Sequence, residues 1–132
     1  LDPLVIFSGA PGWAVDLYRV DKAAFWLEYE DYVRCVLRIV SREVDTYQLW
    51  NEPNHIIDPI DAEDDWQLIA RAGQLVRDLD PTARTSVNAM ANLSGWEQAI
   101  DDWVTNAGAF IDRISSNLPP HTLQSPSQSS YS

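Results

Sequence analysis

The sequence predicts an α/β fold built on a parallel sheet. Three observations point there. Short apolar or β-branched runs alternate with segments of helical period in the order strand, helix, strand, helix, strand, helix, strand. The runs recur about 40, 40 and 25 residues apart, too far for hairpins and long enough for helical crossovers. The turn after the first run is Ser8-Gly9-Ala10-Pro11-Gly12 and lacks either Gly-rich phosphate-binding pattern. Alternation of this kind suits a doubly wound open sheet or part of a (β/α)8 TIM barrel, and the missing Gly-rich motif favours the barrel.

Leu4-Val5-Ile6-Phe7 is a continuous apolar run closed by the turn cluster. It reads as a strand buried on both faces, followed by a loop. From about Ala24 to Val40, the residues Trp26, Tyr29, Val33, Val36, Leu37 and Val40 fall on one face at helical spacing, with Glu28, Glu30, Asp31, Arg34 and Arg38 on the rest. Asp45 to Trp50 is a second strand, rich in residues that suit a pleated surface, and Asn51-Glu52-Pro53-Asn54 stops it because Pro cannot continue a central ladder. Asp61 is placed to cap a helix running to about Leu79, with Glu63, Asp64 and Asp65 in the first turn as the helix dipole favours. Asp80-Pro81 ends it.

Arg84 to Met90 is a third strand. Ser94-Gly95-Trp96-Glu97 has the capping-box pattern and opens a helix to about Thr105. Ala109 to Ile114 is a short fourth strand. The composition then changes: Ser115 to Ser132 holds seven Ser and three Pro in eighteen residues, with no Asp, Glu, Lys or Arg. Such a stretch reads as a disordered low-complexity tail, or as translation in another frame after about Ile114. The expected organisation is one α/β domain over 1–114 and a Ser/Pro-rich tail over 115–132. Starting at Leu1 rather than Met, the chain reads as a fragment, a processed form or a trimmed piece of a longer protein.

Charge and composition narrow the partners. The chain of 132 residues carries nine Lys+Arg against twenty Asp+Glu, a net charge of −11. That sign opposes nucleic acid and anionic membranes, both of which select a basic face. No apolar run reaches the roughly 18 residues of a membrane span. A single Cys, Cys35, excludes an internal disulfide framework and a Cys-based zinc site, and its helical position suggests a buried, inert thiol. Six Trp are many for this length. Trp26, Trp66, Trp96 and Trp103 lie on helical stripes and read as packing residues. Trp50 reads as core or wall, and Trp13, just after the Gly-rich loop, is open between core and groove.

In parallel α/β folds, ligands meet the carboxyl ends of the strands. Those ends carry Ser8, Gly9 and Trp13; Asn51, Glu52, Asn54 and His55; and Asn88, Met90 and Asn92. The second group stands out. A carboxylic acid beside an amide, stiffened by Pro53, can protonate a glycosidic oxygen while the amide holds a sugar hydroxyl. The carboxylates Asp61, Glu63, Asp64 and Asp65 lack the spaced pattern of a calcium loop, so helix-start electrostatics account for them.

The stretch Trp50-Asn51-Glu52-Pro53-Asn54 resembles the W-N-E-P-N motif of clan A retaining glycoside hydrolases. In that (β/α)8 family the Asn-Glu pair ends the fourth barrel strand. The resemblance implies that Glu52 is the general acid/base and Asn51 the ligand of the sugar 2-hydroxyl. It also implies that this chain spans about strands three to six, with the strand before Gly9-Ala10-Pro11-Gly12-Trp13 as the third. The family's nucleophile, a second carboxylate ending strand seven, then lies outside this chain. Trp13, His55 and Asn88 are candidate substrate contacts. The implied substrate is an oligosaccharide or glycoside, and no metal or organic cofactor is implied because two carboxylates suffice.

Two other readings stay open. One is a non-catalytic carbohydrate-binding or structural half barrel that self-associates through its open sheet edges. The other is an open-sheet domain for a small molecule, in which N-E-P-N is coincidence.

Overall fold

The computed structural model describes residues 4–7, 10–51, 60–61, 63–89 and 95–116. Along the chain run β1 (Leu4–Ile6), α1 (Gly12–Val20), α2 (Lys22–Val40), β2 (Thr46–Asn51), α3 (Asp65–Leu79), β3 (Arg84–Ala89), α4 (Trp96–Ala107), a 3-10 turn (Gly108–Phe110) and β4 (Arg113–Ser116). The four strands form one sheet in the order β1-β2-β3-β4, and all three pairings are parallel. The order never reverses. Helix α3 packs on β2 and β3 and also touches both α2 and α4, so these three helices share one face of the sheet.

That face is the core. Phe7, Tyr47, Leu49 and Val87 are fully buried on the strand side, against Val33, Leu37, Leu68, Ile69, Val76, Ile100 and Trp103 from the helices. Each such side chain contributes roughly 1.5–3 kcal/mol through removal from water. Buried polar groups on this side are paired. Tyr47 donates to Asp80 at the end of α3 (2.9 Å), Tyr29 donates to the Leu68 carbonyl (2.7 Å), and the Trp103 indole donates to Asp65 (3.1 Å).

Several expectations are corrected. Helix α1 follows directly on the turn cluster, in a stretch for which no element is expected from the sequence. Ala14 and Tyr18 bury one side of it, and Asp21 both ends it and caps α2 by accepting from the Ala24 amide. β1 is not buried on both faces: Leu4 and Ile6 are 50% and 45% exposed, because among the described residues no helix covers their side of the sheet. Helix α3 starts at Asp65 rather than at Asp61, since Asp61 and Asp64 turn instead to the cations of α1 and α2. At the start of α4 the cap position is Gly95, in the left-handed region at φ 83°, and Ser94 lies outside the described residues. The fourth strand is shifted: Gly108–Phe110 is a 3-10 turn, and pairing runs from Arg113 through Ser115 and Ser116. Cys35 is exposed, because it sits off the stripe of Trp26, Tyr29, Val33 and Leu37 that α2 buries. Trp26 and Trp103 are buried, and Trp66 and Trp96 pack partly buried against the core, as their stripes predict.

Candidate functional site

The end of β2 departs from regular pairing. Thr46, Tyr47 and Gln48 lie opposite Arg84, Thr85 and Ser86, but Asn51 lies opposite Asn88. Three steps along β2 therefore match two along β3, which is a β-bulge at Leu49 and Trp50. Regular alternation would send these neighbours to opposite faces. Here both are buried on the helix side: the Leu49 methyl lies against Gly73 of α3, and the Trp50 ring meets Tyr29 of α2 edge-on at 5.9 Å.

Gln48 secures this irregular end. Its side-chain amide donates to the Trp50 carbonyl (3.1 Å) and to the Asn88 side-chain oxygen (2.6 Å). A bulge leaves ladder groups unpaired, and Gln48 meets one of them with its own side chain. The backbone of Asn51 is thereby level with Asn88 at the carboxyl ends of two adjacent parallel strands.

Beside the bulge lies a cavity of about 310 Å³. Phe25, Tyr29 and Trp50, all buried, form its floor. Trp13, 60% exposed, Tyr32 and Glu28 stand at its rim. Phe25 and Tyr29 stack with planes 2° apart at 6.5 Å, and Trp50 stands at 69° to Tyr29. Burial pushes the Tyr29 hydroxyl well above its ordinary range, so it remains a neutral donor to Leu68.

Trp13 and Trp50 are therefore brought together, although Trp13 reaches the cavity from α1 rather than from a loop. Asn88 sits apart, on the opposite face with Gln48. Asn51 is the last residue of β2. Glu52 and His55 lie outside the described residues. Sequence reasoning did not single out Gln48, Tyr29, Tyr32 or Glu28. The aromatic helix residues read as plain packing, and nothing in the local pattern announces a bulge.

A second polar cluster joins α1 and α2 to the start of α3. Tyr18 donates to Asp64 (2.5 Å), Lys22 pairs with Asp64 (2.9 Å), and Arg19 pairs with Asp61 (2.9 Å). Asp61, Glu63 and Asp64 stand close together, and the cations on Asp61 and Asp64 account for the arrangement. The Arg19 hydrogen bond holds Asp61 below the usual carboxylate range. Burial pushes Asp64 up, but the Tyr18 hydroxyl and Lys22 outweigh it and leave the carboxyl low. Burial, then the bond to Asp64, pushes Tyr18 up to about 12.

No family model matches the chain. The search of curated proteins likewise returns no match. The functional reading therefore rests on residues and geometry.

Proposed function

We propose that this chain is the central part of a retaining glycoside hydrolase of the clan A type, a partial TIM barrel spanning about strands three to six. The observation that carries this reading is the position of Trp50-Asn51-Glu52-Pro53-Asn54, which begins at the carboxyl end of β2 in a parallel sheet of unbroken order. Ligands of parallel α/β folds meet that end. The sequential order with three helices on one face is also the arrangement of a barrel wall.

In this reading Glu52 protonates the leaving oxygen, then deprotonates the attacking water. Asn51 holds the sugar 2-hydroxyl. The nucleophile must stand about 5–5.5 Å from the acid, and in this family it ends strand seven. It therefore comes from polypeptide beyond the four strands seen here. Its negative charge, with burial, keeps the acid protonated between steps.

The test has two parts. The coding sequence beyond Ile114 is read in all three frames for a strand, a helix and a strand ending in Glu. The protein that includes it is assayed on aryl glycosides, where E52Q should lower kcat/KM by about 10²–10⁴-fold. Activity untouched by E52Q, or no strand-end Glu in any frame, sinks the catalytic assignment.

The exposed Leu4 and Ile6 favour one second reading, a non-catalytic half barrel that binds carbohydrate or serves as structure. It requires no second carboxylate.

A further inference from the structure

The cavity beside β2 has a chemistry that the glycosidase reading does not use. Among the described residues, five that line it are aromatic, and the one charged residue that lines it is an acid, Glu28. A sugar needs several hydrogen-bond partners around one flat ring. The described residues offer few here: the Tyr29 hydroxyl is committed to the Leu68 carbonyl, and the Phe25, Trp13 and Trp50 rings supply mainly apolar area. The rings do not form one platform either. Phe25 and Tyr29 are parallel, while Trp50 stands at 69° to Tyr29, so the aromatic surfaces meet at steep angles.

Aromatic faces are electron-rich, and several of them around one volume attract a cation whose methyl groups also gain from apolar burial. A carboxylate at the rim adds an opposite charge without filling the volume. The field of the whole chain has the same sign, at −11. The size also fits: about 310 Å³ is at the small end of ligand pockets, enough for a compact headgroup and little more.

We propose that this cavity binds a small methylated ammonium cation, with Trp13, Phe25, Tyr29, Tyr32 and Trp50 as its aromatic wall and Glu28 as its counter-charge. The assignment is independent of the glycosidase reading and needs neither Glu52 nor a second carboxylate.

The probe pair is choline and 3,3-dimethylbutan-1-ol, which has the same shape without the charge. Each is titrated calorimetrically into the full 132-residue chain at moderate salt. Choline should bind at least about tenfold tighter than the alcohol. E28Q should weaken choline several-fold and leave the alcohol unchanged, whereas W13A should weaken both. Glu28 and Trp13 are exposed, so both variants should melt close to the parent, which circular dichroism checks. Equal affinity for the two probes overturns the proposal and makes the cavity an apolar seat for a hydrophobic group. Absence of heat with choline overturns it outright. Choline binding that neither variant weakens places the cation elsewhere on the acidic surface, and also overturns it.

Discussion

Asp112 illustrates how one side chain fastens three elements. Its carboxylate accepts from the Thr85 amide (2.8 Å) and from Arg77 (3.1 and 3.3 Å), tying β3 and α3 to the entry of β4. Its own amide bonds back to the Thr85 hydroxyl (3.1 Å). Burial raises its pKa, but the Thr85 amide and Arg77 outweigh that and hold the carboxyl below its ordinary value of 3.8. A carboxyl lowered in the folded state adds stability above its unfolded pKa, near 4, and loses it as pH falls through the folded value. D112N should therefore destabilise the protein by about 1 kcal/mol at pH 7, the value of a bond to a charged group discounted for partial exposure. The gap between variant and parent should close as pH drops below about 4. Thermal melts at pH 7 and pH 3 check this, and an equal gap at both values would show that charge is not the cause.

At the scale of elements, packing decides against propensity at Gly73. An added Cβ there would collide with the Phe110 side chain and come within 3.3 Å of Leu49, because the 3-10 turn lies directly on α3. Ala is favoured over Gly in a helix by about 1 kcal/mol, but overpacking a core costs about 1–3 kcal/mol. G73A should therefore lower the urea midpoint, whereas G108A, whose Cβ would meet Val104 at an ordinary 3.7 Å, should not. Equal midpoints would mean that the turn moves freely off α3. The same close packing explains which elements were legible. Helices α2 and α3 and strands β2 and β3 carry their own period, so the sequence shows them within a few residues. Helix α1 does carry a helical spacing, Ala14, Leu17 and Tyr18, but Pro11-Gly12 before it reads as a turn. In the structure Pro11 is the cap residue itself. The apolar Ala109 and Phe110 look like a strand, yet they fold as the turn that seats on Gly73. The bulge leaves no mark in Gln48-Leu49-Trp50-Asn51, because any tetrapeptide of this kind suits a regular strand. Sequence thus singles out the end of β2 as a candidate site, while the cavity beside it is tertiary and depends on how α1 and α2 pack.

Among the described residues, the molecule buries one face of its sheet and leaves the other without helices. Among the described residues β1 pairs only with β2, and β4 only with β3, so both outer edges carry unpaired backbone groups. On β1, Leu4 and Ile6 add apolar area to that edge. Such an edge is a template for another strand. A charge of −11 on every copy opposes the encounter, and salt screens it, with a Debye length of about 10 Å at 0.1 M. The two effects predict a specific dependence. Sedimentation velocity should show mass that rises with protein concentration and rises further with salt. I6K places a charge on the edge and should restore the monomer at every salt concentration. Two exposed apolar side chains are far from the roughly 1,600 Å² of a stable interface, so the association should be weak and reversible. A parent chain that stays monomeric at high salt and high concentration would mean that its own remaining residues cover the edge. In that case the half-barrel reading loses the observation that favours it.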